Sequence, residues 1–243
     1  MENKRKIQQS RRRRVAGNTM LEFALVMVFL VPMFTGAFTI GMTVTKGIQV
    51  SNVEQDALVL LVRSITDPDA GLDLSLTQNQ RIIVRAAQGF NMASDAQYDP
   101  SSTGGGVVIL SKVVKVGPAE CALGVIPAPS GVPNNTPPNY GWSTSNCANY
   151  GSYVFAYRVV IGNGTTYTSA IGTPGAHVRS NGTITSADIA TNTADQLSNF
   201  PGVTGMTLLP STYALVSEMF ADISYLNFFS VLRVPTLYSR GIS

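Results

Sequence analysis

Side chains able to move protons or form covalent bonds are sparse in this chain. Its 243 residues hold one histidine, His177 in GTPGAHVRSNG, and two cysteines, Cys121 and Cys147. A histidine base needs a positioned nucleophile and an orienting carboxylate, and none of the serines stands in a G-x-S-x-G elbow. His177 therefore reads as a surface or strand-end residue. The sequence contains neither G-x-x-x-x-G-K-[ST] nor G-x-G-x-x-G, the phosphate-cradling loops. Asp67, Asp69 and Asp73 in DPDAGLD lack the full calcium-loop pattern and its terminal glutamate, and read as a solvated turn. The expectation is a chain with no catalytic residue, no metal and no cofactor. Asn134, Asn163 and Asn181 open N-x-T triplets, but the last two read as turns, which explains them without glycans.

The two cysteines bracket residues 118–151, a stretch rich in Pro, Gly, Asn and Ser without an apolar period, which reads as an irregular loop. A lone pair spanning such a loop in an oxidising space most simply forms a disulfide, contributing ~3–4 kcal/mol by the loop-entropy model. A metal site would need more ligands, and the spacing is not CxxC.

Glu22 is the acid whose place most needs a reason. It sits at the head of AGNTMLEFALVMVFLVPMFTGAFTIG, and from Phe23 to Thr45 no charged residue follows it. An apolar run above ~18 residues, rising ~1.5 Å each, crosses a ~30 Å hydrocarbon layer as a helix. No small-residue cleavage site closes the run, so it reads as an anchor rather than a disposable leader. Lys4, Arg5, Lys6 and Arg11 to Arg14 precede it, whereas Lys46 and Arg63 are the cations that follow closely. That asymmetry keeps the N-terminus in the cytoplasm and sends the remainder outward. The formal charge of +3 belongs to this leader: beyond residue 17 the balance is −3. A nucleic-acid partner, which needs a basic face on the folded part, is not expected.

The helix should continue outward to about residue 65, since Val50, Val53, Ala57 and Leu61 recur at helical spacing and no proline intervenes before Pro68. TDPDAG then breaks it. Residues 76–90 predict a second helix with Ile82, Ile83, Ala86 and Phe90 on one side. Residues 106–116 predict a strand, and 152–172 a hairpin turning at Asn163-Gly164. Asn181-Gly182 repeats that signal more weakly, and 211–223 predict a central strand with both faces used. The fold class expected is α+β: a basic leader (1–17), a hydrophobic helix (18–65) and an exported domain (66–243) whose antiparallel sheet packs on the outer half of the helix from about residue 47.

A basic leader, Gly17, then Glu22 five residues on in GNTMLEFALVMVFLVPMF, resembles a type IV prepilin signal. The tract is similar in particular to the TadE-like family, minor pseudopilins of tight-adherence (Flp-type) pili, in which R-x-x-G-x-x-x-x-E-F-A-L precedes an apolar run with a proline. Glu22, Phe23, Ala24, Leu25 and Pro32 match that pattern, and YALVSEMFADI and VPTLYSRGIS are weakly similar to the family's C-termini. The firm resemblance covers residues 11 to about 60; the outer domain is longer than the family's usual one. It implies cleavage between Gly17 and Asn18 by a prepilin peptidase, an inner-membrane single-pass location with a periplasmic or extracellular domain, and partners among other pilin subunits and the pilus assembly machinery. It assigns Glu22 and Phe23 to assembly, with the Glu22 carboxylate neutralising the Asn18 amine of a neighbouring subunit. Pro32 should kink or locally melt the helix, and Ala37, Gly41 and Thr45 form a small-residue row that lets another helix approach. Competing readings are a membrane-anchored exported enzyme or binding protein, separable by an uncut N-terminus, and a pseudopilin of a type II secretion system.

Overall fold

The computed structural model describes residues 2–66, 73–90, 92, 104–124, 142–175, 177–224 and 236–243, with the side chains of the first helix from residue 19 onward. Asp67, Asp69, Asn134 and the middle of the expected loop, 125–141, lie outside the described residues.

Helix α1 runs Glu2–Thr66 without interruption and carries Pro32 inside it. The expected local melting at Pro32 is absent. A proline in a helix removes one backbone donor without necessarily breaking the helix; the Thr35 hydroxyl, one turn on, donates to Val31 O at 2.7 Å. Between Thr19 and Ile65 this helix is long and apolar enough to cross a membrane. The chain divides into two compact units, one carrying α1 as far as Lys46 and the other beginning at Gly47.

In the second unit, the outer turns of α1 bury Val50, Val53, Ala57 and Leu61. Five strands form one sheet: β1 (Gly106–Lys115), β2 (Tyr153–Gly162), β3 (Gln196–Leu197), β4 (Thr212–Ala221) and β5 (Leu237–Ile242). Their order is β3-β2-β1-β4-β5, and every pairing is antiparallel. A long apolar N-terminal helix with an antiparallel sheet is compatible with the α+β class. β1 holds the middle, with Leu110 opposite Val159 on one side and Ser217 on the other. Its Val107, Val108, Ile109, Leu110 and Val113 are all buried, because both faces of the sheet are covered.

One face meets α1. Ser217 of β4 donates its hydroxyl to Glu54 O at 3.2 Å, and Ser239 of β5 donates to Glu54 Oε2 at 3.4 Å. Small residues are required here: a Cβ on Gly241 would collide with the Glu54 carboxylate. Helix α2 (Thr77–Ala86) and the 3₁₀ turn Gln88–Phe90 follow. The buried stripe is Ile83, Val84, Ala87 and Phe90: Ile83 and Phe90 are buried as expected, whereas Ile82 is 49% exposed and Ala86 is also on the surface. Ile83, Val84 and Ala87 subtend one face, and Ile82 and Ala86 flank it.

The expected hairpin at Asn163-Gly164 does not form. Asn163 Oδ1 accepts from Thr165 Oγ1 and the Thr166 amide, and its Nδ2 donates to Gly104 O at 2.9 Å. The chain is thereby turned off the sheet edge, and 165–172 forms no strand. Asn181-Gly182 does make a tight turn, with Gly182 N donating to Arg179 O at 2.8 Å, but Thr183 then makes a single bridge to Tyr157. The opposite face of the sheet carries a core of Val113, Phe155, Ile171, Ile184, Phe200, Leu208 and Val216.

Glu54 is 2% exposed, and among the described residues no donor reaches its Oε1 in hydrogen-bond geometry. Burial pushes its carboxyl above the usual carboxylate range, against partial opposition from Ser239, the Gly241 backbone and Ser217. A raised acid pKa contributes stability below the ordinary carboxylate range, and that contribution is lost as pH rises through the raised value. Glu54→Gln, which resembles the protonated form, should therefore melt higher than the wild type at pH 7, by the few degrees that ~1 kcal/mol makes in a domain this size. The gap should close towards pH 4. Thermal melts of the detergent-solubilised chain across that range check it, and a variant less stable at pH 7 would contradict it.

Candidate functional site

The processing and assembly residues expected from the sequence all fall on α1. Positions 17 and 18 lie inside the continuous helix, and the Asn18 side chain is outside the described set. Glu22 and Phe23 are exposed, and so are the large side chains beyond them: Met33 is 77% and Phe34 71% accessible. Leu21, Leu25, Val28, Phe29 and Ile40 are exposed too. An apolar surface this extensive is unfavourable in water and suits lipid or another apolar chain.

Ala37, Gly41 and Thr45 are exposed, and a Cβ on Gly41 would meet open space. A second row escaped the sequence reading. Thr35, Thr39 and Thr43 each turn their hydroxyl onto the carbonyl four residues back, at 2.7–2.8 Å, and Thr39 is buried. Four-residue spacing of threonines in an apolar run was the available signal, because such hydroxyls satisfy themselves on the preceding turn.

Residues 118–151 are less irregular than expected. Helix α3 (Pro118–Gly124) opens the segment, with Pro118 in its first position and Glu120 Oε2 accepting from Gly117 N at 2.9 Å. That is a capping box, legible in retrospect as G-P-A-E. Its other half comes from far along the chain, where Ser211 Oγ accepts from Ala119 N at 3.3 Å. Cys121 and Cys147 are joined by a disulfide, with Cα atoms 5.8 Å apart. Both cysteines are buried with Val114, Val116, Val154 and Ala190, so the segment owns a small core. Helix α4 (Ser186–Thr191) lies close: a Cβ on Gly124 would strike Ser186 O and Ala190 Cβ. Asn149 is fully buried and holds the end of α4, its Nδ2 donating to Ile189 O and Asn192 O, both at 2.9 Å.

The buried charges form the second place where chemistry could occur. Glu218 on β4 is wholly buried, accepting from Ser169 Oγ, from the Ala170 amide at 2.9 Å and from Tyr238 OH at 2.9 Å. Burial, and then the Glu218 charge, push the Tyr238 phenol up. Arg158 on β2 is 7% exposed and donates from Nη1 to Ser111 Oγ at 3.1 Å and Gly172 O at 3.2 Å. Burial lowers its guanidinium to about 10, against the opposing pull of Glu218. The sequence reading missed both charges; an arginine and a glutamate inside otherwise β-rich runs were the available signal. His177 is exposed on a turn.

Comparison of the chain with family models, with curated proteins and with solved structures finds no match.

The disulfide cluster makes a definite demand. Replacing both cysteines by alanine should lower stability by about 3 kcal/mol, or roughly 10 °C in melting temperature. Because the sulfurs belong to a core, limited proteolysis should cut within α3 and residues 142–151 first. An unchanged melt would show that the bridge is dispensable.

Proposed function

We propose that this chain is a TadE-like minor pilin or pseudopilin: a single-pass inner-membrane subunit, processed by a prepilin peptidase, that serves assembly of a tight-adherence pilus. The observation that carries the reading is the register of Gly17, Glu22 and Phe23 at the head of a continuous helix whose large apolar side chains stand exposed. The cationic leader before Gly17 supports a cytoplasmic N-terminus and an exported second unit. The outer turns of the same helix are built into the folded unit, so the anchor and the domain share one element.

In this role the protein does its work by association. Its partners are the peptidase, other pilin subunits and the membrane-embedded assembly machinery. A carboxylate at the edge of an apolar segment costs less than the ~2.5–3.5 kcal/mol of mid-membrane, and an adjacent ammonium offsets it. Cleavage after Gly17 would create that ammonium at Asn18, and Glu22 of a neighbouring subunit would receive it.

Two measurements test the proposal. N-terminal sequencing of the membrane-extracted protein should read Asn18 first; a mature start at Met1, or beyond Gly36, would remove the pilin reading. Glu22→Gln should insert and be cleaved normally, because neither event uses the carboxylate. The cleaved variant should then fail to crosslink to other subunits, since losing one partner of a buried ion pair costs ~3–5 kcal/mol, and less at a membrane edge. Normal association of that variant would exclude the pairing role.

A further inference from the structure

Arg158 is costly where it stands. A guanidinium offers five N–H donors, yet among the described residues only Nη1 finds acceptors, and Nε, which is buried, has none. Buried donors left unused carry a desolvation penalty. Its direct neighbours across the strands are Ser111 and, beyond it, Val216, and the charge in the sheet that acts on it is Glu218.

The same arginine lines a cavity of about 340 Å³, near the lower end of small-molecule sites at ~300–1,000 Å³. Val160, Tyr167, Pro174 and Val178 supply apolar wall, and Thr173 contributes an exposed hydroxyl. Arg158 is the one charged residue among the cavity's lining. Of the nearby acids, Glu218 accepts from Ser169, Ala170 and Tyr238, while Asp195 Oδ1 accepts from the Gly175 amide at 2.7 Å and its buried Oδ2 has no partner among the described residues.

We propose that this cavity is a binding site for a small organic carboxylate with an apolar, ring-sized body, whose carboxylate is received by Arg158. A planar guanidinium with free donors suits a planar carboxylate, and a charge-assisted bond is about twice as strong as a neutral one. The Val160, Tyr167 and Pro174 wall receives the body. Glu218 keeps the empty site from holding an uncompensated charge, which is why the arginine can remain buried without ligand. This site is independent of the helix α1 and of the pilin reading.

The test uses the full chain in lipid nanodiscs with 4-fluorobenzoate as probe, followed by ¹⁹F NMR. Saturable binding is expected for the acid, with 4-fluorobenzamide at least about tenfold weaker because it lacks the charge. Arg158→Gln should weaken the acid by about tenfold or more. Should that variant fail to fold, Thr173→Trp decides: it leaves Arg158 and its hydrogen bonds in place, obstructs the cavity from an exposed position, and should abolish binding. No saturable binding of the acid, equal binding of acid and amide, or undiminished binding by Thr173→Trp would each overturn the proposal.

Discussion

A helix that carries Val50, Val53, Ala57 and Leu61 on one stripe must bring that stripe out of water, and the second unit is organised around doing so. Val50, Val53 and Leu61 each contribute ~1.5–3 kcal/mol when fully buried and Ala57 ~1 kcal/mol or less, and all four are buried. The sheet beneath accepts the helix closely because β4 and β5 present Ser217, Ser239 and Gly241 at the contact. The cost of this closeness falls on Glu54, which shares the stripe and is carried inside with it. An acid there is tolerable where serine hydroxyls meet it and where its proton is readily retained.

The other face of the sheet solves a different problem. With β1 already buried on the helix side, the second face needs a cover, and the segment after β2 supplies it. That is why the β-rich run at 165–172 does not pair as a strand. Ser169 and Ala170 direct their donors to Glu218, and Ile171 enters the core beside Phe200 and Leu208. A buried carboxylate with three donors is satisfied; removing the donors would leave it among the most costly groups in the fold. The cover and the charge therefore depend on each other.

These dependencies also explain which elements could be read from the sequence. α1, α2, β1 and β4 are declared by local period, so 106–116 and 211–223 read correctly as strands. The helical stripe from Val50 to Leu61 read correctly too, but Glu54 at an intervening stripe position was not singled out, since a lone acid within a helical period reads as solvent-facing. β5 was not, because Leu237-Tyr238-Ser239-Arg240-Gly241-Ile242 alternates poorly and its glycine argues against a strand; the glycine is there to clear Glu54. The hairpin failed because Asn-Gly reports a turn and says nothing about where the chain goes next. α3 hid in a loop-like composition, since its cap is completed by Ser211, some ninety residues away. The disulfide was legible from two cysteines alone, but its small core was not, because Val114, Val154 and Ala190 come from three separate elements.

The apolar part of α1 poses the remaining question of what could make its contacts specific. Thr35, Thr39, Thr43 and Thr45 spend their hydroxyls on their own helix, at 2.7–2.9 Å, so they offer little to a neighbour. Ala37 and Gly41 are open and small, which permits close approach but selects weakly among apolar partners. In a bilayer, lipid would compete for the same surface on nearly equal terms, since it is as apolar as the side chains it would leave. From Phe23 to Thr45 no charge breaks this uniformity. In the proposed pilin role, discrimination between one helix and another comes from the carboxylate at the edge of the segment. That group is Glu22, and its position there would set the register at which a partner's opposite charge meets it.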